Sequence, residues 1–157
     1  MAIDRQGTGL SILRICIGVF FIFEGLGKIR WFTDTSLLAD QLTGWSQALP
    51  AGSLSHMYLE RIAIPRAAIF ARMVPLGEIT SGVALVAGLW TPLFAFIAFF
   101  MALNFQFASG ALFKYSFLTN GYGLPVLGST LGLAVGGVRL PWSLRFSAPS
   151  RATKAAH

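Results

Sequence analysis

Charged, thiol and imidazole side chains are scarce in this chain. Charged residues make up 11% of its 157 residues, Cys16 is the single cysteine, and the two histidines are His56 and His157. One cysteine excludes both an intramolecular disulfide and a thiol pair that shuttles electrons. Two histidines so far apart in the sequence do not form a metal-binding motif, so we expect no bound metal.

Apolar residues make up most of the rest. The hydrophobic fraction is 55% and the mean hydropathy is +0.67, values that are typical of an integral membrane protein. Three segments come close to the roughly 20 apolar residues that cross a bilayer, and a fourth is slightly short but carries no charge. The predicted transmembrane helices are residues 10–29, 67–90, 92–110 and 121–138.

The sequence therefore predicts an all-α fold, an integral membrane four-helix bundle with a long extracytoplasmic loop between helices 1 and 2. Residues 1–145 form a single domain, and residues 146–157 form a basic cytoplasmic tail. Arg14 and the apolar run after it imitate a signal peptide, but Glu24 and Lys28 stand where small residues precede a cleavage site. We therefore expect the first helix to remain uncleaved.

Basic residues outside the predicted helices set the expected orientation. Five lie on each side of the membrane, but four of those on the side of the termini are packed into the C-terminal stretch, which is almost free of acidic residues. This pattern favours the inner (cytoplasmic) membrane, with both termini in the cytoplasm. The basic tail also accounts for the net charge of +6 through attraction to anionic headgroups. Nothing further in the sequence indicates nucleic-acid binding.

The loop of residues 31–66 carries an amphipathic segment. Leu38, Leu42 and Trp45 lie near one face of a helix that Pro50 interrupts. We expect this helix to lie on the outer membrane surface. The alternative is that it caps the bundle or docks on a partner.

Small residues recur at helix-packing spacing in two predicted helices. They strip a helix face of side chains so that another helix can approach closely. The series are Gly77, Ser81, Ala84 and Gly88 in helix 2, and Gly128, Gly132 and Gly136 in helix 4. Tryptophans at the predicted helix ends are expected to anchor the protein at the membrane interfaces. These are Trp31, Trp90 and Trp142.

Ionisable and amide side chains stand inside the predicted helices. At about 1.5 Å of rise per residue, Glu24 and Arg72 lie at nearly the same depth on adjacent helices, where an ion pair would lower the cost of burying either. Lys28 follows Glu24 by one turn and offers it a second partner. Asn104 and Gln106 reach the same layer, but they point about 200° apart, so at most one faces the interior.

Glu78 is expected near the midplane without a partner at its own depth. Only Arg14 from one side or Arg72 from the other approaches it, each across several ångströms, so we expect its carboxyl to be protonated. Two interpretations of the polar layer stay open: interhelical hydrogen bonding, or the lining of a headgroup pocket or proton route. Glu78 favours the second, because a protonated carboxyl in the membrane suits proton transfer beside a quinone.

The first predicted helix carries Arg14, Gly18 and a GLGK run ending at Lys28, and the block 58–110 includes a pattern from Gly77 and Glu78 through Thr91. In these residues the chain resembles the DoxX/DoxD family of small four-helix membrane proteins. The resemblance extends over about residues 10–140, and the long first loop looks like the DoxD type. The recurrent polar positions of the family correspond here to Arg14, Glu24, Lys28, Glu78 and Asn104.

The resemblance implies a membrane subunit of a thiosulfate:quinone oxidoreductase, in which thiosulfate is oxidised to tetrathionate and electrons pass to quinone. Other DoxX-like proteins are linked to thiol and oxidative-stress responses. The candidate catalytic residues are then Glu78 and Glu24. The candidate residues for binding a lipid quinone are Arg72, Asn104, Lys28 and Arg14.

The alternative is a non-catalytic structural or accessory subunit of a larger membrane protein complex. In either case, the expected partners are the lipid bilayer and other membrane-protein subunits. A small-solute transporter is a third possibility, which the absence of an evident inverted repeat makes less favourable.

Overall fold

Helices make up most of the part of the chain that this computed structural model describes, residues 4–112 and 114–144. The predicted tail, residues 146–157, lies outside the described residues. No strand occurs in either of these ranges, which confirms the all-α fold. The longer helices are α1 (Arg5–Gly27), α2 (Ser36–Ala48), α4 (Ala67–Ala87), α5 (Thr91–Ala108) and α7 (Leu124–Gly136). Two single-turn helices are α3 (Leu54–Tyr58) and α6 (Tyr115–Thr119), and a 3-10 turn, Ile29–Phe32, follows α1.

Three helical segments are long and apolar enough to cross a membrane. They are Arg5–Gly27, Leu54–Ala87 and Thr91–Ala108. Large apolar side chains on their outer faces are exposed, among them Phe23 at 69% and Met73 at 61%. Because no other part of the described chain covers these faces, they are the surfaces that contact lipid. The chain is a membrane protein.

The fourth helix is shorter than the sequence predicted. α7 has 13 residues and is about 20 Å long, against roughly 30 Å of hydrocarbon. It begins after the predicted start at residue 121, because residues 120–123 form a turn. In this turn the Asn120 side chain accepts a hydrogen bond from the Gly123 amide at 2.9 Å. It ends at the consecutive glycines Gly136 and Gly137.

The second predicted helix begins earlier than expected. Residues Leu54–Ala87 are continuously helical, so the last third of the predicted loop 31–66 is part of a helix. Pro65 lies in a 3-10 turn, Ile64–Arg66, which follows a π turn, Leu59–Ala63. Since proline has no amide hydrogen and crowds the preceding turn, these two altered turns let the helix continue past it.

α2 caps the bundle. Leu38 is 2% exposed and Leu42 is 5% exposed, and both pack in a cluster with residues of the extended second helix such as Leu59. The expectation that α2 lies on the membrane surface is therefore wrong, and the capping alternative is confirmed. Trp31 belongs to the same buried cluster and is not an interface anchor, whereas Trp90 and Trp142 are exposed.

The main core lies between α1, α4, α5 and α7. It is built from side chains of moderate size, with alanines on α5 that let the other helices approach. Its members are Ile17, Phe21, Leu85, Ala95, Ala98, Val126, Leu133 and Leu140.

α1 and α4 contact each other through glycines. A Cβ built on Gly18 lies 2.8 Å from the Gly82 carbonyl oxygen, and one built on Gly82 lies 2.6 Å from the Gly18 carbonyl oxygen. Gly25 lies seven residues after Gly18 on α1, and Pro75 lies seven residues before Gly82 on α4. A Cβ built on Gly25 lies 2.9 Å from the Pro75 carbonyl oxygen. Backbones this close leave no room for side chains at these positions. In contrast, Cβ atoms on Gly128 and Gly132 of α7 have no neighbour within 4 Å among the described residues.

We predict that Gly82→Ala destabilises the bundle and that Gly132→Ala does not. The added methyl group at position 82 meets backbone atoms of α1, and such overpacking costs about 1–3 kcal/mol. The methyl group at position 132 meets open space. Thermal unfolding of the two variants in the same detergent measures the difference, and equal midpoints would contradict the glycine contact.

Candidate functional site

A buried cluster of three charged side chains joins α1 to α4. The Lys28 Nζ lies 2.8 Å and 2.9 Å from the two carboxylate oxygens of Glu78 and 2.9 Å from Oε2 of Glu24. It also contacts the Glu24 carbonyl oxygen at 3.3 Å. The side chain of Glu78 is 5% exposed, that of Lys28 16% and that of Glu24 31%. We call these residues the Lys28 cluster.

Local sequence brings the cluster together. Glu24 and Lys28 stand one turn apart at the end of α1, where Lys28 is the C-terminal capping residue. Gly25 lies between them, and a Cβ on it would come within 3.1 Å of the Glu78 Cβ. The missing side chain at Gly25 therefore lets Glu78 reach the ammonium group of Lys28.

The cluster lies on the wall of a cavity of about 320 Å³. Aromatic rings form much of the lining, and the Lys28 Nζ is 5.5 Å from the ring centroid of Phe105. α2 contributes Gln41 and Trp45, so the capping helix covers the cavity. The lining residues are Phe20, Phe21, Glu24, Lys28, Gln41, Trp45, Glu78, Ala102, Phe105, Gln106, Ser109, Ala111, Asn120, Tyr122 and Val126.

Two carboxyl groups share one ammonium group in this cavity. When both are ionised the cluster has one negative charge in excess, and binding one proton makes it neutral. Burial of an unbalanced charge is costly, so binding of one proton lowers the cost of burying the cluster. Glu24 is the more exposed of the two carboxyls, and Glu78 is the deeper one.

Gln106, and not Asn104, faces the cavity. Gln106 is 8% exposed and its side-chain amide donates to the Tyr122 carbonyl oxygen at 3.0 Å. Asn104 is exposed and accepts a hydrogen bond from the Tyr58 hydroxyl at 2.8 Å. The prediction that only one of the two faces the interior is thus confirmed, but the structure does not place the chosen residue, Asn104, at the cavity.

Arg72 lies outside the cluster. Its side chain is exposed, and Nη1 donates to the Ala68 carbonyl oxygen of its own helix at 2.9 Å. The expected ion pair of Arg72 with Glu24 is wrong: Arg72 is on an exposed face of α4, and Glu24 pairs with Lys28 instead. The expectation that Glu78 has no partner at its own depth is also wrong, because Glu78 pairs with Lys28.

Arg14 lies at the opposite end of the bundle. It is fully buried, its Nη1 donates to the Ser143 hydroxyl at 2.7 Å, and its Nη2 donates to the Trp142 carbonyl oxygen at 2.9 Å. Ten residues of α1, about 15 Å, separate it from Glu24. Arg14 therefore does not approach Glu78 and does not line the cavity.

Several cavity residues were not predicted from the sequence. Gln106 was one of the two amides predicted at this depth but was not chosen, although it continues the spacing of the buried alanines Ala95 and Ala98 through Ala102 on one face of α5. Asn120 and Tyr122 come from a turn whose position depends on tertiary packing, and they carry no sequence signal of their own. Trp45 was identified only as part of the apolar face of α2.

A family model described as DoxX matches residues 9–111. This range is more than half of the chain, and it holds most of α1 and all of α2 to α5 together with the Lys28 cluster. The chain belongs to the DoxX family. The match ends before α6 and α7, so it is shorter than the expected range of 10–140. No curated protein and no solved structure matches the chain significantly.

We predict that Lys28→Met lowers the free energy of unfolding of this DoxX protein by about 3 kcal/mol. The substitution keeps an apolar chain of similar length but leaves two neighbouring carboxyl groups without their cation. Thermal unfolding in detergent at neutral pH measures the loss. Arg72→Met is the matched control, since it also removes a cation but leaves no buried charge unpaired.

A triple variant tests the cause. Lys28→Met combined with Glu24→Gln and Glu78→Gln removes all three charges, so we expect it to recover much of the lost stability. An equal loss in Lys28→Met and Arg72→Met would show that the cluster has no special role in stability.

Proposed function

We propose that this DoxX protein is the quinone-binding membrane subunit of an oxidoreductase, of the DoxD type that acts with thiosulfate. The lipid quinone binds in the cavity beside the Lys28 cluster. The observation that carries the proposal is a pair of carboxyl groups sharing one ammonium group on the wall of an aromatic-lined cavity within the membrane protein.

The cavity suits a flat, weakly polar ring. Its volume of about 320 Å³ falls at the lower end of the roughly 300–1,000 Å³ of small-molecule sites. Phe20, Phe105 and Tyr122 supply apolar ring surfaces. At the Asn120 side chain, the carbonyl oxygen accepts from Gly123, and the amide group donates to no partner within residues 4–112 and 114–144, so it can donate to a carbonyl oxygen of the ligand.

The Lys28 cluster exchanges the protons. A quinone takes up two electrons and two protons on reduction, and the electrons come from a reduced sulfur compound such as thiosulfate. Glu78, the deeper carboxyl, gives a proton to the site and recovers one from the aqueous side through Glu24, the more exposed carboxyl, by their shared contact with Lys28. Two such transfers supply the two protons. Lys28 keeps both carboxyls in place and compensates their charge.

Oxidation of the sulfur compound belongs to a partner subunit in this proposal. The chain has a single cysteine, and no group of three or more histidine, cysteine, aspartate or glutamate side chains close enough to hold a metal occurs in residues 4–112 and 114–144. The proposal keeps the orientation expected from the basic residues, with both termini in the cytoplasm and the cavity toward the outer side of the inner membrane.

We expect a quinone with a short tail to quench the fluorescence of Trp45, which lines the cavity. Ala102→Phe fills the cavity from α5, so we expect it to weaken binding at least tenfold. Leu103→Phe places the same ring at the next position of α5, which does not line the cavity, and this variant should bind as the wild type does. A titration of detergent-purified protein gives the dissociation constants.

Two further variants complete the binding experiment. Trp45→Phe shows how much of the quenching comes from the cavity, since the other three tryptophans lie elsewhere. Arg72→Gln should leave binding unchanged, because Arg72 does not line the cavity. Equal binding by the Ala102→Phe and Leu103→Phe variants would refute a quinone site in this cavity.

Proton exchange predicts a separate effect of Glu78→Gln. Glutamine keeps the size and hydrogen-bonding capacity of glutamate but does not ionise, so we expect quinone reduction by native membranes to fall about 100-fold. Quinone binding to the purified variant should stay within about twofold of the wild type, because the cavity keeps its shape. Full activity of this variant would show that Glu78 serves helix packing and does not exchange protons.

One observation favours the alternative of an accessory subunit. No part of residues 4–112 and 114–144 covers the face of α7 around Gly128 and Gly132, since none of their atoms lies within 4 Å of a Cβ placed there. A helix of another subunit packs closely against such a face. Recovery of the chain only within a large complex, with the quinone bound elsewhere in that complex, would support this role.

A further inference from the structure

Arg14 is a buried cation that has no anionic partner in the described part of the chain. Its side chain is fully buried, and its two hydrogen bonds go to the neutral groups of Ser143 and Trp142. Its Nε is buried and has no hydrogen-bond acceptor, and no ion pair of Arg14 occurs within residues 4–112 and 114–144. A buried guanidinium in low dielectric strongly favours an anion nearby.

A cavity of about 290 Å³ lies directly beside this guanidinium. Ser143 and Gly88 line the cavity, and both lie against Arg14: Ser143 accepts its Nη1 hydrogen bond, and a Cβ on Gly88 would collide with Nη1. Arg139, which is exposed, lines the cavity as well. Two cations thus lie next to this cavity: Arg14 is buried behind its wall, and Arg139 is at its rim.

Uncommitted hydrogen-bond donors line the same cavity. Thr91 is 3% exposed, and its hydroxyl has no hydrogen-bond partner in the described part of the chain. The Ser143 oxygen accepts from Arg14, so its own hydrogen is available to another acceptor. Thr91 is also the first residue of the 18-residue helix α5, whose N-terminal end carries partial positive charge.

Tryptophans place this cavity at the level of lipid headgroups. Trp90 lines it and is 73% exposed, and Trp142, next to Ser143, is 63% exposed. Exposed tryptophans at the ends of membrane helices lie in the interfacial region of the bilayer. The phosphate groups of phospholipids lie in that same region.

We propose that this cavity binds the phosphate group of an anionic phospholipid from the leaflet at the Arg14 end of the bundle. The hydroxyls of Thr91 and Ser143 donate hydrogen bonds to the phosphate oxygens, and Arg139 and Arg14 compensate its charge. This site is separate from the cavity at the Lys28 cluster, and it is independent of the proposed redox function.

Native mass spectrometry of the delipidated protein tests the proposal. We expect one short-chain phosphatidylglycerol to bind per chain at low concentration, at least tenfold more tightly than phosphatidylcholine with the same acyl chains. Thr91→Val removes only the uncommitted hydroxyl, and Arg139→Asn removes the rim cation at a position with φ of 60°, which asparagine tolerates. We expect each variant to weaken the tight binding at least fivefold.

Matched controls distinguish this site from general attraction to a basic protein. Arg61→Gln removes an exposed cation near the other end of the bundle, and it should leave the binding of phosphatidylglycerol unchanged. Inorganic phosphate should compete only weakly with phosphatidylglycerol for this cavity. Equal binding of the two lipids, equal effects of Arg61→Gln and Arg139→Asn, or full displacement by phosphate at low millimolar concentration would each overturn the lipid site.

Discussion

The close contact between α1 and α4 determines where the polar groups of this protein lie. Gly18 and Gly82 bring the two backbones together, and Gly25 continues the contact seven residues along α1. Because no side chain separates the helices at Gly25, Glu78 on one helix reaches Lys28 at the end of the other. The cavity forms next to this contact, where α5, α7 and the capping helix α2 enclose the remaining space.

The two ends of the bundle bury opposite charges. At the Lys28 end, two carboxyls share one ammonium group, so the wall of the cavity has an excess negative charge or holds a proton. At the Arg14 end, a guanidinium is buried against neutral groups, so that wall has an excess positive charge. In a membrane, where each buried charge is costly, both imbalances favour a ligand or a proton that neutralises them.

The capping helix α2 connects the long first loop to the site. Its apolar face fits on the extended second helix through Leu38 and Leu42, and Trp45 and Gln41 then reach the larger cavity. A surface-bound α2 would have left the Lys28 cluster open at this end of the bundle. The DoxX match, residues 9–111, includes α2 and the Lys28 cluster.

The sequence by itself determined the all-α membrane fold, the amphipathic α2 and the i,i+4 pair of Glu24 with Lys28. These follow from hydropathy, periodicity and helix geometry, which are local properties. Only the tertiary structure decided that Lys28 pairs with Glu78, that Gln106 replaces Asn104 at the cavity, and that Arg14 and Arg72 lie away from it. Depth along a helix is readable from residue counts, but the rotation of each helix about its axis depends on packing with its neighbours. That rotation selects which polar side chains meet.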